Sequence, residues 1–218
     1  MKTVNLSEQP SLLNQFLKEI RSVRIQNDRM RFRRNIERIG EVMAVEISRT
    51  LDYRIEQVQT PLAVADVPVI TDRIVLATIL RAGMPLHQGF LNFMDNAENA
   101  FVSAYRTYTD EAHTKIEIHR EYMASPRLDG KTLILVDPML ATGGSMEAAY
   151  MALLANGTPK CLHMACTIAT PDAISHLNQV MPEDSTLWCA AIDPLLNEHK
   201  YIVPGLGDAG DLCYGEKC

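Results

Sequence analysis

The chain has 218 residues and a mass of 24.4 kDa, enough for a domain of ordinary size to bury a core without metal or disulfide staples. Hydrophobic residues make up 47% and charged residues 22%, which argues against disorder, and no apolar run reaches the roughly 18 residues of a membrane span. A formal net charge of -6 disfavours broad binding to a nucleic-acid backbone, and the first residues lack the apolar stretch of a signal peptide. We expect a single cytoplasmic domain over residues 1–218 with no membrane or nucleic-acid partner.

The N-terminal region is predicted to be helical from about Ser11 to Leu51. Apolar residues recur there at spacings of three and four, as on the buried face of an amphipathic helix; they are Leu13, Phe16, Leu17, Ile20, Ile36, Ile39, Val42 and Met43. The basic run from Arg29 to Arg34 lies in the same region. We interpret it as a solvated face or a subunit contact, with an anion site as the alternative.

From residue 74 the pattern changes to strands that alternate with helices. The predicted strands are Ile74–Leu80, Phe101–Tyr105, Thr132–Val136, Leu162–Ala169 and Ser185–Ala191. The predicted crossover helices are Met146–Ala155, which ends at the C-cap signal Asn156-Gly157, and Pro171–Val180. Continuous apolar strands separated by helices predict an α/β fold, with a mostly parallel central sheet flanked by helices.

The segment Thr114–Tyr122 differs from these strands because its apolar and polar residues alternate. Such alternation predicts a strand with one face in water, as in a protruding hairpin arm. The five cysteines (Cys161, Cys166, Cys189, Cys213 and Cys218) contain no Cys-x-x-Cys pair, and the histidines are scattered. We therefore expect no zinc site, and we interpret the cysteines as small buried hydrophobes in a reducing compartment.

The most informative stretch joins an apolar strand to an acid, a loop of small residues and a helix. It runs from Leu133 through Asp137 to the sequence Thr142-Gly-Gly-Ser145. Ligands of an open parallel sheet bind beyond the carboxyl ends of its strands, where this loop lies. Glycines allow close approach of the backbone to a phosphate, and the next helix presents its free amides. The alternative is a capped helix after a tight turn. The acid favours a sugar phosphate, whose hydroxyls need an acceptor.

Two other nucleotide-binding patterns are excluded. The Walker pattern G-x-x-x-x-G-K-[ST] does not occur, which removes the main support for a kinase or ATPase. The run from Gly205 to Gly210 does match G-x-G-x-x-G, but only eight residues follow it (218 minus 210). A dinucleotide-binding fold needs a helix, a strand and an acid after that motif, so the match is a coincidence.

Four segments together resemble a known family. Val136–Ser145 resembles the phosphoribosyl diphosphate signature of type I phosphoribosyltransferases, in the form found in uracil phosphoribosyltransferases. Ile192–Asp211 is similar to the uracil-binding tail of that family, and Ile79–Gly83 and Ala104–Arg106 are similar to its two arginine segments. The segments fall in the family's order, and the likeness extends over nearly the whole chain. The resemblance implies N-terminal helices, a protruding β-arm and a C-terminal base-binding hood around the sheet.

The resemblance implies transfer of ribose 5-phosphate from 5-phospho-α-D-ribose 1-diphosphate to N1 of uracil, giving UMP and diphosphate. The phosphoribosyl diphosphate would meet Arg81, Arg106, Asp137, Pro138, Met139, Leu140, Ala141, Thr142, Gly143, Gly144, Ser145 and Asp208. Uracil would meet Ile202, Gly207, Asp208 and Ala209. Arg81, Arg106 and Asp208 would be the catalytic residues. Mg²⁺ is the implied cofactor, held mainly by diphosphate and water rather than by protein ligands. The family also implies a homo-oligomer.

Three alternatives remain open at this point. A transferase of the same fold could act on another base, although the segment from Tyr201 to Asp211 speaks against a purine. An RNA-binding attenuator of pyrimidine genes shares the fold and predicts a basic face, for which Arg29 to Arg34 is the one candidate. A non-catalytic nucleotide sensor is the third.

The chain also departs from the family pattern in three places. Residues from Met84 to Gln88 replace smaller, glycine-containing sequence, although Pro85 can start a helix. The run from Thr107 to Glu111 differs from the acidic segment common in relatives, and Leu212 in the C-terminal stretch to Cys218 stands at a commonly basic position. These departures bear on affinity and regulation. Asp193, Glu198, Asp208 and Asp211 could supply a general base, which stays unassigned.

Overall fold

A computed structural model of the chain describes residues 1–108 and 116–216. Its strands are β1 (Lys2–Asn5), β2 (Tyr53–Gln59), β3 (Val64–Ile70), β4 (Ile74–Ile79), β5 (Glu98–Tyr108), β6 (Ile116–Ala124), β7 (Thr132–Val136), β8 (Met139–Leu140), β9 (Cys161–Ala169), β10 (Thr186–Ile192), β11 (Leu195–Leu196) and β12 (Ile202–Val203). Its helices are α1 (Leu12–Arg21), α2 (Arg29–Ser48), α3 (Met84–Leu91), α4 (Gly144–Leu153), α5 (Pro171–Val180) and α6 (Ala209–Tyr214). Single 3₁₀ turns occupy Leu6–Glu8 and Leu154–Asn156.

The central sheet has the strand order β1-β10-β9-β7-β4-β5-β6, and β8 pairs with β9 beside this path. All of its neighbouring strands are parallel except β6, which runs antiparallel to β5. Successive side chains of β7 point to opposite faces of the sheet. Ile134 therefore belongs to the hydrophobic core with α1, α2 and α3, and Leu135 to the core with α4 and α5. The prediction of an α/β fold with a mostly parallel sheet flanked by helices is confirmed. No helix in the described ranges is long and apolar enough to cross a membrane.

The predicted helical region at the N-terminus consists of two helices. Ser11 begins α1 with a capping box, in which its hydroxyl accepts a hydrogen bond from the Leu13 amide at 3.2 Å. Asp28 caps α2 by accepting from the Arg31 amide at 3.0 Å. Helix α2 then crosses α3 closely at two glycines, Gly40 of α2 and Gly89 of α3. A Cβ on Gly40 would lie 2.5 Å from the Leu86 carbonyl oxygen, so a larger residue there would separate the helices.

Two features at the edges of the sheet differ from the expectation. The predicted arm segment contributes β6, which pairs with β5 from Phe101 opposite Ala124 to Tyr108 opposite Ile116. This pairing makes β5 longer than predicted, and residues 109–115 lie outside the described residues, so the arm stays a prediction. The hairpin β2–β3 was not predicted, and its strands pair only with each other in the described chain.

Candidate functional site

A cavity of about 320 Å³ opens at the carboxyl ends of β4 and β7. Its lining joins three parts of the chain: the turn after β4, the loop after β7 and the C-terminal segment. The lining residues are Ile79, Leu80, Arg81, Ala82, Asp137, Met139, Ala141, Ser145, Lys200, Tyr201, Ile202, Gly207, Asp208, Ala209 and Gly210. The predicted phosphoribosyl diphosphate and uracil segments therefore meet at one cavity. It lies beyond the carboxyl ends of parallel strands, where ligands of such sheets bind.

The loop after β7 forms a second, smaller hollow of about 60 Å³ beside this cavity. The hollow is lined by Asp137, Met139, Leu140, Ala141, Thr142, Gly143, Ser145 and Met146. The loop is anchored from behind, because the Thr170 hydroxyl donates to the Ala141 carbonyl at 2.7 Å. Gly143 has a φ of 84°, the left-handed conformation in which glycine avoids the strain of a side chain. Helix α4 begins at the next residue and directs its first amides toward the hollow.

Not every residue of the predicted phosphate segment faces a cavity. Pro138 is buried, and its carbonyl accepts from the amides of Thr167 and Ile168 at 3.1 and 3.0 Å, so it fastens the loop to β9. Leu140 is only 2% exposed and borders the smaller hollow, while its backbone pairs through β8 with Ala169. Gly144 starts α4 and is buried. These three residues hold the shape of the loop.

Asp137 lies at the end of β7, where it is half-buried in the floor of the cavity. Burial raises the pKa of its carboxyl group to about 7, and one backbone hydrogen bond, from the Met139 amide at 3.3 Å, opposes that rise. No cation neutralises it among the described residues. Hydrogen-bond donors on a ligand, such as the hydroxyl groups of a sugar, would therefore stabilise the charged carboxylate of Asp137.

Arg81 follows β4 and lies at the opposite side of the cavity. The Leu80–Arg81 peptide bond is cis, and the Gly83 amide donates to the Ile79 carbonyl at 3.1 Å to close the turn. A Cβ on Gly83 would meet that same carbonyl oxygen at 2.5 Å. The guanidinium lies 3.8 Å from the Asp211 carboxylate and is 43% exposed, so it stays available to an anion. The segment from Met84 to Gln88, which departs from the family pattern, lies in α3, and Pro85 is in the first turn of that helix.

The C-terminal segment contributes the opposite wall. Asp208 caps α6 by accepting from the Asp211 amide at 2.9 Å, and its carboxylate lies in the cavity. Gly207 has a φ of 93°. Ile202 and Ala209 are nearly buried, which fixes the backbone on both sides of this loop. The four predicted uracil contacts are thus grouped on one wall.

Among the other predicted candidates, Arg106 lies in β5, and its side chain is outside the described residues. Asp193 does not line the cavity, because it forms an ion pair with Arg21 at 2.7 Å. Glu198 is 87% exposed at its side chain. Asp211 lies 3.8 Å from Arg81 and is not among the residues that line the cavity. Asp208 is therefore the member of the predicted base set that lines it.

Lys200 and Tyr201 line the cavity and lie within the segment Ile192–Asp211, but they were not among the predicted site residues. Arg21 was not predicted either, because its partner Asp193 is 172 positions away in sequence.

The basic run at the start of α2 is largely paired within the chain. Arg31 bonds Glu19 at 2.9 Å, Arg33 donates to the Cys213 carbonyl at 2.7 Å, and Arg34 bonds Glu37 at 2.5 Å. Three arginines of the run therefore serve contacts within the chain.

Comparisons with known proteins agree with this geometry. The family model described as uracil phosphoribosyltransferase matches residues 7–216. A uracil phosphoribosyltransferase from Porphyromonas gingivalis is 58% identical over the full length of both chains, and one from Agrobacterium fabrum is 40% identical over 85% of this chain and 87% of its own. The solved AQ2163 protein from Aquifex aeolicus superposes with a TM-score of 0.83 at 27% identity, covering 98% of each chain. The chain belongs to the uracil phosphoribosyltransferase family.

Proposed function

We propose that the protein transfers ribose 5-phosphate from 5-phospho-α-D-ribose 1-diphosphate to N1 of uracil, producing UMP and diphosphate. The observation that carries this proposal is the single cavity that Asp137 and Ser145 share with Gly207, Asp208 and Ala209. Membership of the uracil phosphoribosyltransferase family also supports this reaction. The predicted phosphate loop and the predicted base-binding loop line the same cavity, so one ligand can contact both. The reaction belongs to pyrimidine salvage.

In this proposal the phosphoribosyl group spans the loop after β7. The 5-phosphate occupies the hollow between Ala141 and Ser145, where hydroxyls and the first amides of α4 donate to its oxygens. The ribose hydroxyls donate to Asp137, whose carboxylate has no neutralising cation among the described residues. The diphosphate extends toward Arg81 and Arg106, and a guanidinium matches its paired oxygens.

Uracil presents an acceptor, a donor and an acceptor along one edge. The loop from Ile202 to Gly207 offers backbone amides and carbonyls, and Gly207 has no side chain to block the approach of the base. Cytosine reverses two of those three positions, and a buried mispaired edge costs up to several orders of magnitude in kcat/KM. We therefore expect strong preference for uracil.

Bond breaking builds positive charge on the ribose ring and negative charge on the departing diphosphate. Arg81 and Arg106 stabilise the leaving group, and Asp208 faces both the base and the sugar from the loop before α6. N1 of uracil attacks C1 of the ribose as the bond to diphosphate breaks, and the N1 proton goes to a nearby acceptor. We propose Asp208 as this acceptor, because it is a carboxylate that lines the cavity.

Mg²⁺ is the proposed cofactor. Within the described residues no three His, Cys, Asp or Glu side chains converge to cage a metal ion, while two carboxylates, Asp137 and Asp208, line the cavity. That donor set fits an ion which keeps most of its ligands from water and phosphate. When bound, the ion neutralises charge on the diphosphate.

We also propose a homo-oligomer in the cytoplasm. The hairpin β2–β3 exposes several apolar side chains; they include Ile55, Val58, Leu62, Val64 and Val67. A two-stranded hairpin is marginal by itself, and covering these side chains with a second copy would stabilise it. The four described cysteines are free, as suits a reducing compartment. For the oligomer, light scattering should give a mass above that of the monomer. The double substitution Leu62→Lys and Ile55→Lys should lower this mass.

The deciding experiment measures UMP formation from uracil, phosphoribosyl diphosphate and Mg²⁺, with cytosine, hypoxanthine and orotate in parallel. Turnover with uracil alone supports the reaction and its specificity together. Turnover with hypoxanthine would favour a purine transferase instead. Folded protein that binds UMP but turns over no base would favour the nucleotide sensor.

A further inference from the structure

The described walls of the cavity carry little positive charge for a substrate that bears a diphosphate and a 5-phosphate. Two cations, Arg81 and Lys200, line it together with the carboxylates Asp137 and Asp208. Arg81 is partly engaged, since it lies 3.8 Å from Asp211 and 3.5 Å from the Gly215 carbonyl. In the described part of the chain the ammonium of Lys200 forms no ion pair.

Lys200 also has an unusual backbone conformation. Its φ is 64°, the one left-handed value at a non-glycine residue in the described chain. Side chains disfavour this conformation, and such residues concentrate at functional sites, where the surrounding structure enforces them. A glycine would fit the turn with less strain, so the lysine side chain costs stability at this position.

The turn that carries Lys200 is held firmly. Strands β11 and β12 pair on either side of it, and the Asn197 side chain accepts from the amides of His199 and Tyr201 at 3.0 and 2.9 Å. The Lys200 amide donates to the Asn197 carbonyl at 3.0 Å. Two residues later Ile202 enters the predicted base-binding wall. The turn therefore fixes Lys200 relative to the rest of the site.

We infer that Lys200 is a substrate-binding residue whose ammonium contacts phosphate oxygens of the bound phosphoribosyl diphosphate. The inference rests on the proposed function and adds a phosphate contact from the C-terminal wall to those from Arg81 and the loop after β7. The diphosphate and the 5-phosphate share the same chemistry, so the experiment has to separate them.

The test uses Lys200→Gln, Lys200→Arg and Lys200→Gly in the full-length protein. Titration calorimetry with Mg²⁺-diphosphate and, separately, with ribose 5-phosphate measures the two phosphate sources. Loss of a charge-assisted contact should weaken one of the two by about tenfold in Lys200→Gln and Lys200→Gly, while Lys200→Arg stays within about twofold of wild type. Lys18→Gln, which removes an exposed lysine outside the cavity, is the matched control.

The outcomes separate the possibilities. Weaker diphosphate binding assigns Lys200 to the leaving group, and weaker ribose 5-phosphate binding assigns it to the other end. Wild-type affinity of Lys200→Gly for both ligands would overturn the inference, because that variant keeps the turn and loses the ammonium. An equal loss of affinity in Lys18→Gln would show that the effect comes from the net charge of the protein, and it would also overturn the inference. Wild-type protein that neither binds phosphoribosyl diphosphate nor makes UMP would count against the proposed function itself.

Discussion

Arg21 at the end of α1 and Asp193 just after β10 form a bidentate ion pair, although 172 positions separate them in sequence. The two nitrogen–oxygen distances are 2.7 and 2.8 Å, and Asp193 is almost completely buried. The same carboxylate accepts from the Gly205 amide at 2.8 Å, and Arg21 donates to the Gly205 carbonyl at 3.0 Å. The pair therefore ties the N-terminal helices to the loop that leads into Gly207 and Asp208.

Breaking this pair should affect both stability and the base site. Arg21→Ala leaves a buried carboxylate with one remaining donor, so we expect a loss of about 2–4 kcal/mol in the free energy of unfolding. The loop it holds should become less ordered, so the KM for uracil should rise more than the KM for phosphoribosyl diphosphate. Urea denaturation and initial rates measure the two effects.

Arg49→Ala is the control for Arg21→Ala, because Arg49 forms an exposed pair with Glu46 at 3.4 Å. Such surface pairs contribute about 0–1 kcal/mol, so this variant should behave like wild type. Equal changes in both KM values for Arg21→Ala would contradict the role assigned to the pair.

Asp208→Asn should lower turnover strongly while the protein stays folded. Asparagine caps helices as well as aspartate does, so the bond from the Asp211 amide, 2.9 Å long here, should persist. The variant loses the negative charge that faces the base and the ribose. We expect a fall in kcat of about 100-fold or more, in the range of acid–base residues. Circular dichroism checks the fold, and wild-type turnover would remove Asp208 from the catalytic set.

The raised pKa of Asp137 predicts a pH dependence of stability. The unfolded chain releases this proton near the ordinary value of 3.8, whereas the folded, ligand-free protein holds it up to about 7. The unfolded state therefore binds fewer protons between these values, and the contribution of Asp137 to stability falls as the pH rises from about 4 to about 7.

Asp137→Asn lacks this titration, so it should match wild type near pH 4 and be the more stable protein at pH 8. Allowing for partial solvation, the difference at pH 8 should be on the order of 2 kcal/mol, a shift in melting temperature of about 4–8 °C. Thermal denaturation of both proteins across the pH range provides the measurement. A difference that is constant with pH would show that the folded carboxyl group titrates at its ordinary value.

Gly143→Ala tests the phosphate loop. A side chain at a φ of 84° costs about 1 kcal/mol, and the new Cβ would lie 3.0 Å from a carbon of the His176 ring. The loop should shift and raise the KM for phosphoribosyl diphosphate by about tenfold or more. Gly130→Ala is the matched control, since Gly130 has a φ of 70° with no neighbour within 4 Å of an added Cβ. It should lose similar stability and keep its KM.

Local sequence patterns determined most of the central sheet. The strand Thr132–Val136 and the helix Pro171–Val180 have the predicted bounds, because continuous apolar residues and a proline at a helix start are local signals. The loop from Asp137 to Ser145 was recognisable from its acid and its small residues, which lie between an apolar strand and a helix. The hairpin β2–β3 was missed, because its apolar side chains are exposed and mark no buried face.

The sequence by itself thus determined the α/β class, the phosphate loop and the family. Only the tertiary structure decided which side chains share the cavity and what holds them there. Arg21 reaches Asp193 across most of the chain, and Lys200 lines the cavity although it was not among the predicted site residues. Local propensity and spacing encode secondary structure, whereas such long-range partners depend on how the helices and strands pack.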